Sequence, residues 1–511
     1  MTFGSASLAA GILLTVATAH AADQKSAALL HEALQAQGGE QALRSLKSVQ
    51  WRASGYRNEL EESERPEGPY ITEFDTVSEV HDFAGHRFRS STAATVYPVF
   101  KFSSATVIDG NVAMRVSGNA KMAGTPQQAE IARERESLSP EHLLLTALDA
   151  PDTHMEPDTV LQSVPQNVLA FSLDGGSVRV YLNAYTHLPT AVDYSGPAAR
   201  SDYWAFLGDV TQRTYYSLWW MAKGGIHLPM QWNVESNGLP DRMLVISKLQ
   251  IDEPLPEDDL NIPQEIRAKF NLNASAQNAD TIPLGLAAQP AKELAPGIVF
   301  IPGRWNVTLV QQDDGVVILE APISSGYSAK VIAEAHRRFP GQPIKAVITT
   351  SDSWPHIAGI REYVAQGIPI YALDLNRPIL ERVAAMPYTS RPDAQQRSPR
   401  KPAFHLVHEE AKVGTGKNRM EIYPIHGETS ERQMMVYFPE YHLLYGSDPF
   451  QQNDDGSFFY PQTVTELMDA VAREHLDVRE FFMMHIGPTP WVDLAKAVAI
   501  AKAQDTPNGD L

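Results

Sequence analysis

The chain contains no cysteine. That absence excludes disulfide bonds, thiol nucleophiles and thiolate metal ligands at once. The lack of cysteine is compatible with an oxidising compartment but does not require one.

The chain also has fewer basic residues than acidic residues. The chain has 42 Lys and Arg against 61 Asp and Glu, which gives a formal net charge of -19. Nucleic acids and anionic membranes attract basic surfaces, so this balance argues against both as partners. Beyond the N-terminal stretch, no apolar run reaches the roughly 18 residues that a membrane helix needs. We therefore expect a mature protein without a membrane span.

The N-terminal 22 residues are typical of a signal peptide. A short apolar core, Leu8–Val16, is followed by Ala19, His20 and Ala21, a small-x-small pattern that suits signal peptidase. The usual positive leader is missing, since Met1–Ser7 contains no Lys or Arg, and a frayed N-terminal helix is the alternative. We expect cleavage after Ala21 or Ala22 and a periplasmic or secreted protein. The sequence leaves the oligomeric state open.

At 511 residues the chain is too long for one ordinary core. Residues 23–252 contain, after two short helical patterns, many short alternating segments separated by Gly, Asn, Asp and Pro, which predicts an antiparallel β-rich domain. Residues 253–296 are rich in proline and acidic residues, which predicts a linker. Residues 297–511 mix strand and helix patterns and form the second predicted domain. The expected fold class is α+β.

An aromatic-rich stretch lies in the first predicted domain. It consists of Trp204, Phe206, Tyr215, Tyr216, Trp219 and Trp220. Aromatic side chains favour pleated surfaces and bury large areas, so we interpret them as core. The alternative is a groove for an apolar ligand.

In the second predicted domain, four protonatable residues each follow a predicted strand. They are His356, His426, Asp448 and His485. Any one of them alone is most simply a structural residue. Strand ends at one edge of a sheet converge, however, so together these imidazoles and the carboxylate are expected to meet around a cation.

The residues before His356 resemble a rewritten metallo-β-lactamase superfamily motif, His-x-His-x-Asp-His. Ser351, Ser353 and Pro355 occupy the places of the first two His and the Asp, and His356 is kept. His426 in His-Gly-Glu-Thr-Ser, Asp448 in Leu-Tyr-Gly-Ser-Asp and His485 in Met-His-Ile-Gly resemble the later ligands. The resemblance implies an αββα sandwich over residues 297–503. The preceding domain resembles periplasmic lipoprotein-carrier half-barrels.

The resemblance implies two metal positions, of which one has lost its ligands. The first would use Ser351, Ser353 and His426, and serine hydroxyls are feeble ligands for a divalent transition metal. The second would use His356, Asp448 and His485. Two histidines and one carboxylate occur in catalytic zinc sites and in non-haem iron sites. We expect one zinc ion, with iron or manganese as alternatives, and His426 completing the shell or hydrogen-bonding its water.

The implied chemistry is hydrolysis of an ester, lactone, amide or phosphoester by a metal-activated water. The motif Asp that orients this water is replaced by Pro355, so we assign catalytic roles to Asp448 and Asp352. For Asp352 the competing interpretation is a turn or helix-capping residue. For Ser351 and Ser353 the alternatives are a nucleophile and a helix cap, and we favour the cap, because neither residue lies in a Gly-x-Ser-x-Gly nucleophile elbow.

A second hypothesis belongs to another class of protein. The degenerate domain would be catalytically inactive, and the N-terminal sheet domain would bind an apolar ligand. Metal content separates the two hypotheses, because only the hydrolase requires a bound ion.

Overall fold

The computed structural model describes residues 24–60, 65–96, 100–196, 208–272, 274, 279–448 and 461–503. The expected signal peptide, residues 1–22, and the aromatic residues Trp204 and Phe206 lie outside these ranges. The chain forms two compact units. Unit 1 comprises Met1–Asn58, Thr72–Pro197 and Val210–Ala276, and unit 2 comprises Glu59–Ile71, Ala198–Asp209 and Gln277–Leu511. Within the described ranges, no helix is both long and apolar enough to cross a membrane.

Unit 1 is built on one antiparallel sheet, with thirteen strands among its described residues. The strands are β1 (Ser48–Asn58), β2 (Thr72–Asp82), β3 (Arg87–Val96), β4 (Phe100–Asp109), β5 (Val112–Ser117), β6 (Ala120–Ala123), β7 (His154–Leu161), β8 (Val164–Leu173), β9 (Gly176–Asn183), β10 (Pro189–Gly196), β11 (Val210–Met221), β12 (His227–Ser236) and β13 (Leu239–Ile251). Their order in the sheet is β6-β5-β4-β3-β2-β1-β13-β12-β11-β10-β9-β8-β7. The predicted antiparallel β-rich region is thus confirmed.

Helices cover part of this sheet. They are α1 (residues 24–37), α2 (Glu40–Arg44), α3 (Pro126–Ser137), α4 (Leu143–Asp149), α5 (Glu257–Leu260) and α6 (Gln264–Arg267). The alternating burial of Val49, Trp51 and Ala53 on β1 turns one face of the sheet toward Leu34 of α1 and Leu143 of α4 in a single apolar core. Burial of that face fixes the register of β1.

The structure bears on two predictions for unit 1, the buried aromatic residues and the proline-rich linker. Tyr216 is buried in the core of unit 1, as predicted, but Trp220 is 66% exposed, so the core interpretation is wrong for that residue. The proline-rich segment 253–296 contains α5 and α6, and Ile266 of α6 packs against Val107 and Met114 of the sheet.

Unit 2 contains two sheets among its described residues. The seven-stranded sheet runs in the order β14 (Lys292–Ala295), β15 (Ile298–Ile301), β16 (Val307–Gln312), β17 (Gly315–Leu319), β18 (Ile344–Ile348), β19 (Ile370–Leu373) and β20 (Phe404–Val407). The six-stranded sheet runs in the order β21 (Ala411–Val413), β22 (Met420–Pro424), β23 (Met434–Phe438), β24 (Leu443–Tyr445), β25 (Glu480–Phe482) and β26 (Thr489–Pro490).

The helices of unit 2 are α7 (Ser325–Arg338), α8 (Trp354–Ile357), α9 (Ile360–Gln366), α10 (Arg377–Ala385), α11 (Ala394–Arg397), α12 (Pro461–Arg473) and α13 (Trp491–Ala503). The two sheets share one apolar core, to which Val317 and Ile348 contribute from one sheet and Val436 and Phe482 from the other. A second core contains residues of the six-stranded sheet together with α12 and α13. Strands from both sheets therefore end close to one another.

Candidate metal centre

Two of the proposed ligands follow neighbouring parallel strands. β24 and β25 pair in parallel, with Tyr445 opposite Phe482. Asp448 and His485 each come three residues after these partners, so both leave the sheet at the same edge. The backbone amide of Met484 donates to the carbonyl of Ser447 at 3.0 Å, which joins the two chain segments beyond the strands.

The third ligand comes from the other sheet. β18 is followed by an irregular turn and then by α8, which carries His356. The His356 amide donates to the Ser353 carbonyl at 3.0 Å, and the Pro355 carbonyl accepts from the Ile323 amide at 2.8 Å. These backbone bonds hold the short helix against the segment that follows β17. The His356 side chain is thereby buried at the end of its sheet.

His356, Asp448 and His485 form a compact cluster. Each offers one ligand atom, and the three atoms lie within 4.8 Å of one another. Asp448 Oδ2 lies 3.2 Å from His356 Nδ1, and Asp448 Oδ1 lies 3.0 Å from His485 Nε2. Ligands about 2.1 Å from a tetrahedral ion are separated by about 3.4 Å. The two measured separations are slightly shorter than this value and consistent with a shared ion.

The hydrogen bonding of these ligand atoms also fits a metal site. Among the residues that the structure describes, His356 Nδ1 and Asp448 Oδ1 are buried and form no hydrogen bond of suitable geometry, although they lie 3.2 Å from Asp448 Oδ2 and 3.0 Å from His485 Nε2, respectively. Buried polar atoms are usually paired, and an unpaired one is unfavourable by about 1–3 kcal/mol. A divalent cation between these atoms would satisfy them together. Zinc suits such an imidazole and carboxylate set, and iron and manganese are compatible with it.

Trp305 forms an apolar wall beside the cluster. Its ring centroid lies 6.2 Å from that of His356 and 6.3 Å from that of His485, and the two imidazole centroids are 5.5 Å apart. The indole therefore borders both imidazoles. Burial lowers the pKa of His356 to about 4, although the charge of Asp448 opposes this effect. His356 is therefore neutral at pH 7, which is the state that binds a metal.

A buried polar network positions Asp448. Glu320, directly after β17, accepts hydrogen bonds from the hydroxyls of Thr350 and Tyr445, the latter at 3.0 Å. Ser447 Oγ donates to the Thr350 carbonyl at 3.0 Å and lies 2.7 Å from Thr350 Oγ1. Because Ser447 precedes Asp448, the network connects the end of β18 to the backbone that presents the carboxylate.

Burial raises the pKa of Glu320 to about 7, against the hydrogen bonds from Thr350 and Tyr445. Glu320, Trp305 and Tyr445 were missed from the sequence, although Glu320 follows a buried strand just as the proposed ligands do.

The structure does not place His426 in the cluster. His426 is exposed and has a positive φ of 58°. The loop after it is held by Glu466 of α12, which accepts from the amide of Ser430 at 3.0 Å and from its hydroxyl at 2.6 Å. This fixed loop leaves the His426 side chain exposed at the surface.

The remaining predicted residues lie near His356 in sequence but outside the cluster. Asp352 is buried, its Oδ2 has no partner among the described residues, and burial raises its pKa to about 7. Ser351 is buried and its hydroxyl accepts from the Ser353 amide at 3.1 Å, a local turn contact. Within the described ranges, His356, Asp448 and His485 are the only group of three or more His and carboxylate residues with this geometry.

Comparison with known proteins gives limited information. No protein-family model and no curated protein matches the chain. Among solved structures, a metallo-β-lactamase from Erythrobacter litoralis is 15% identical with a TM-score of 0.32, covering 42% of this chain and 96% of its own. A metallo-β-lactamase from Pontibacter korlensis is 13% identical with a TM-score of 0.33, covering 42% and 99%.

The sec-alkylsulfatase Pisa1 from Pseudomonas sp. is 15% identical with a TM-score of 0.31, and covers 42% of this chain and 40% of its own. At such scores these likenesses alone assign neither an activity nor a substrate to this protein.

Proposed function

We propose that this chain is an exported metal-dependent hydrolase in which His356, Asp448 and His485 hold one zinc ion. The observation that supports the proposal is the convergence of two imidazoles and one carboxylate, with unpaired buried atoms on His356 and Asp448. Residues 1–22 would be the signal peptide, 23–252 a carrier-like domain, 253–296 a linker, and 297–511 an αββα sandwich. The shared core of the two sheets supports the last assignment.

The chemistry would be hydrolysis of a small-molecule ester, lactone, amide or phosphoester. A bound divalent ion supplies Lewis-acid polarisation and an activated water at neutral pH. Neutral His356 provides a lone pair for the ion, Asp448 lies between the two imidazoles, and Trp305 borders both of them. Asp352 would exchange protons with the reacting groups. Its pKa of about 7 suits that role, because it is then partly protonated at neutral pH.

Metal content is the direct test of this proposal. Purified wild type, supplied with zinc and dialysed, is expected to keep about one ion per chain, whereas His356→Ala and His485→Ala lose it. Loss of one ligand from a three-ligand set removes tight binding. His31→Ala, at an exposed histidine of unit 1, is the matched control and is expected to keep the ion. A wild type that retains no zinc, iron or manganese would contradict the proposal.

A hydrolysis screen tests the chemical part. Esters, lactones, amides and phosphoesters are offered to wild type and to Asp448→Ala. Activity that disappears in the variant, while its fold is kept, is the expected result. Equal rates in both proteins would remove Asp448 and its ion from the mechanism.

A second candidate function is a binding protein, which an open groove in unit 1 favours. The groove has a volume of about 910 Å³ and is lined by Phe74, Phe102, Ala93 and Ala94 among others. Phe74 is 69% exposed and Phe102 is 45% exposed. Such aromatic surface suits an apolar ligand. Metal-free wild type that binds an apolar fluorescent probe, with binding lost in Phe74→Ser, would favour this function over hydrolysis.

A further inference from the structure

Two aspartate side chains of this protein are each bound by one edge of an arginine guanidinium, the pair of N–H groups on Nε and Nη2, which we call the fork. Arg213 donates from Nε and Nη2 to the two oxygens of Asp193, at 2.6 and 2.7 Å. Arg361 donates from the same two nitrogens to Asp393, at 2.6 and 2.9 Å. Two parallel N–H groups match the two oxygens of a carboxylate, sulfate or phosphate. In both cases the fork is filled by a side chain of the protein.

Arg382 presents the same edge without a protein partner. Its Nε and Nη2 are both buried, and neither has a hydrogen-bond partner among the described residues. Buried N–H groups are nearly always paired, and charged ones are the least favourable to leave unpaired. Arg382 therefore differs from Arg213 and Arg361 in one respect, which is that the oxyanion is missing from its fork.

The position of this guanidinium is fixed. It lies over the indole of Trp354, with 4.7 Å between Cζ and the ring centroid. Trp354 is 2% exposed, so its ring is held by packing. Stacking on an aromatic face orients the guanidinium plane and leaves its edge available for hydrogen bonds. The fork is thus set in place before any ligand arrives.

Trp354, on which the Arg382 guanidinium stacks, is close in sequence to the candidate metal centre. Trp354 and His356 lie two residues apart in α8, so their Cα atoms are separated by no more than about 7.6 Å. Asp352, the carboxylate nearest to Trp354 in sequence, does not fill the fork, and Glu381, which precedes Arg382, pairs with Arg377. Asp352 Oδ2 has no hydrogen-bond partner, and the cation that most affects the Asp352 carboxyl is Arg432.

We infer that the Nε–Nη2 edge of Arg382 binds an oxyanion carried by the substrate of the His356, Asp448 and His485 centre. The inference rests on the proposed function. The oxyanion is a carboxylate, sulfate or phosphate placed away from the bond that is hydrolysed. The substrate therefore has two recognised parts, an electrophilic group at the ion and an anionic group at Arg382. Neutral esters and lactones would bind without the second contact.

Binding of free anions tests the fork directly. Thermal unfolding of the full-length protein, with zinc and in a parallel series with chelator, is followed while sodium sulfate, sodium phosphate or sodium acetate replaces sodium chloride at constant ionic strength. Wild type is expected to show a saturable rise in unfolding temperature at millimolar anion. Arg382→Gln is expected to show only the small, non-saturating stabilisation that sulfate gives any protein.

Arg377→Gln is the matched control. Arg377 lies on the same helix, is exposed, and pairs with Glu381 at 2.9 Å. The variant makes the same change of charge and is expected to keep the saturable response. Arg382→Lys, which keeps a cation over Trp354 but lacks the fork, is expected to bind at least 10-fold more weakly. Equal responses in wild type, Arg382→Gln and Arg382→Lys would overturn the inference.

A pair of substrates links the fork to turnover. An ester with a distal carboxylate and its neutral carboxamide analogue are compared in wild type and Arg382→Gln. Wild type is expected to prefer the anionic ester by at least 10-fold in kcat/KM, and the variant is expected to lose the preference with its zinc content unchanged. Equal use of both esters by active wild type would overturn the inference alone. Metal-free, inactive wild type would overturn the proposed function, whereas the anion titration still reports on the fork.

Discussion

The stability of unit 2 depends on the protonation state of one carboxyl group, that of Glu320. It is fully buried with a φ of 75°, and accepts hydrogen bonds from Thr350 and Tyr445. Burial raises its pKa from the ordinary 4.5 to about 7. A raised carboxyl pKa means that the folded state holds a proton that the unfolded state has released between these two pH values. Stability therefore falls as the pH rises from about 4.5 to about 7 and is then constant with respect to this group.

Glu320→Gln is predicted to remove this pH dependence. In wild type, ionisation of Glu320 is expected to lower the free energy of unfolding by on the order of 3 kcal/mol between pH 4.5 and pH 7, because one pKa unit corresponds to about 1.4 kcal/mol. Glutamine is neutral at every pH and keeps a donor and an acceptor, so the variant matches the protonated group. The measurement is the free energy of unfolding in urea between pH 4.5 and 7.5, with chelator present so that ligand binding does not contribute.

The comparison isolates Glu320. Burial raises the pKa of Asp352 to about 7 as well, but that slope is common to both proteins and cancels in the difference. Glu428→Gln, at an exposed position of unit 2, is the control and is expected to follow wild type. Parallel pH profiles for wild type and Glu320→Gln would show that Glu320 is ionised in the folded protein.

His81 is the corresponding buried group of unit 1. Its Nε2 lies 3.1 Å from Glu79 Oε2 and its Nδ1 lies 3.5 Å from Glu141 Oε1. Burial lowers its pKa, but the hydrogen bond to Glu79 and the charges of Glu141 and Glu79 outweigh burial, so the net pKa is raised above 6.5. Arg135 also reaches Glu79, at 3.3 Å. A raised histidine pKa gives stability that is fully present below pH 6.5 and is lost as the pH rises through the folded value.

His81→Gln is predicted to destabilise unit 1 by about 3 kcal/mol at pH 6, because the buried carboxylates of Glu79 and Glu141 both lose the imidazolium, and Arg135 still pairs with Glu79. The loss relative to wild type should shrink as the pH rises above the His81 pKa. Hydrogen exchange of the β2 amides in wild type and variant measures this loss of stability at pH 6 and again at pH 8.5. His154→Gln, at an exposed histidine, is expected to show no loss. A loss that does not change with pH would mean that His81 is neutral in the fold.

At the scale of elements, one arginine joins three helices of unit 2. Arg361 of α9 is 1% exposed, pairs with Asp393 at the start of α11, and donates from Nη1 to the carbonyls of Val383, Ala384 and Met386 at the end of α10. Those carbonyls have no partner within their own helix. The guanidinium therefore caps one helix while it is paired at the start of another.

Arg361→Ala is predicted to destabilise unit 2 by about 3–5 kcal/mol, because it removes the cation that pairs with the largely buried Asp393 carboxylate and a donor from each of three carbonyls. Arg377→Ala, on the exposed surface of α10, is expected to change stability by less than about 0.5 kcal/mol. Urea unfolding of both variants gives the comparison. A loss below 1 kcal/mol for Arg361→Ala would mean that water replaces the guanidinium at these sites.

Sequence patterns located strands better than they located helix breaks. The β-branched run Ile344–Ile348 has the pattern of a short buried strand, and β18 spans the same residues, since a short apolar run between turn signals has few alternatives. The apolar spacing of Ile357, Ile360 and Val364 is that of one helix, but the structure has α8 and α9 with Gly359 between them. The Gly359 amide donates to the Ala321 carbonyl at 2.8 Å, and a Cβ there would lie 2.2 Å from Ser328 Oγ. Only the tertiary contact with the segment after β17 reveals this break.

At the scale of the whole molecule, the sequence indicated which strand ends meet but not which side chains point inward. His356, Asp448 and His485 were predictable because each follows a buried strand and strand ends converge. His426 satisfies the same rule, yet its positive φ and the loop held by Glu466 leave it exposed. Residues 59–71 belong to unit 2 although both neighbouring strands lie in unit 1. Composition along the sequence does not indicate that a segment between two strands of one unit belongs to the other unit.

The candidate metal centre draws its ligands from both sheets of unit 2, so an ion there is predicted to stabilise unit 2 alone. His356 follows β18 of one sheet, whereas Asp448 and His485 follow β24 and β25 of the other. Free zinc at 1,000 times its Kd stabilises the state that binds it by about 4 kcal/mol. Amides of β18, β24 and β25 that exchange only by opening of unit 2 should then exchange about 1,000-fold more slowly with zinc than with chelator.

Amides of β8 and β9 in unit 1 provide the internal comparison, because no proposed ligand lies in that unit. Their exchange rates are expected to be the same with zinc and with chelator. In His485→Ala the zinc effect on β24 and β25 should disappear while β8 and β9 are unchanged. Equal slowing in both units, or slowing that persists in His485→Ala, would place the ion elsewhere, because only an ion held between the two sheets of unit 2 protects these strands selectively.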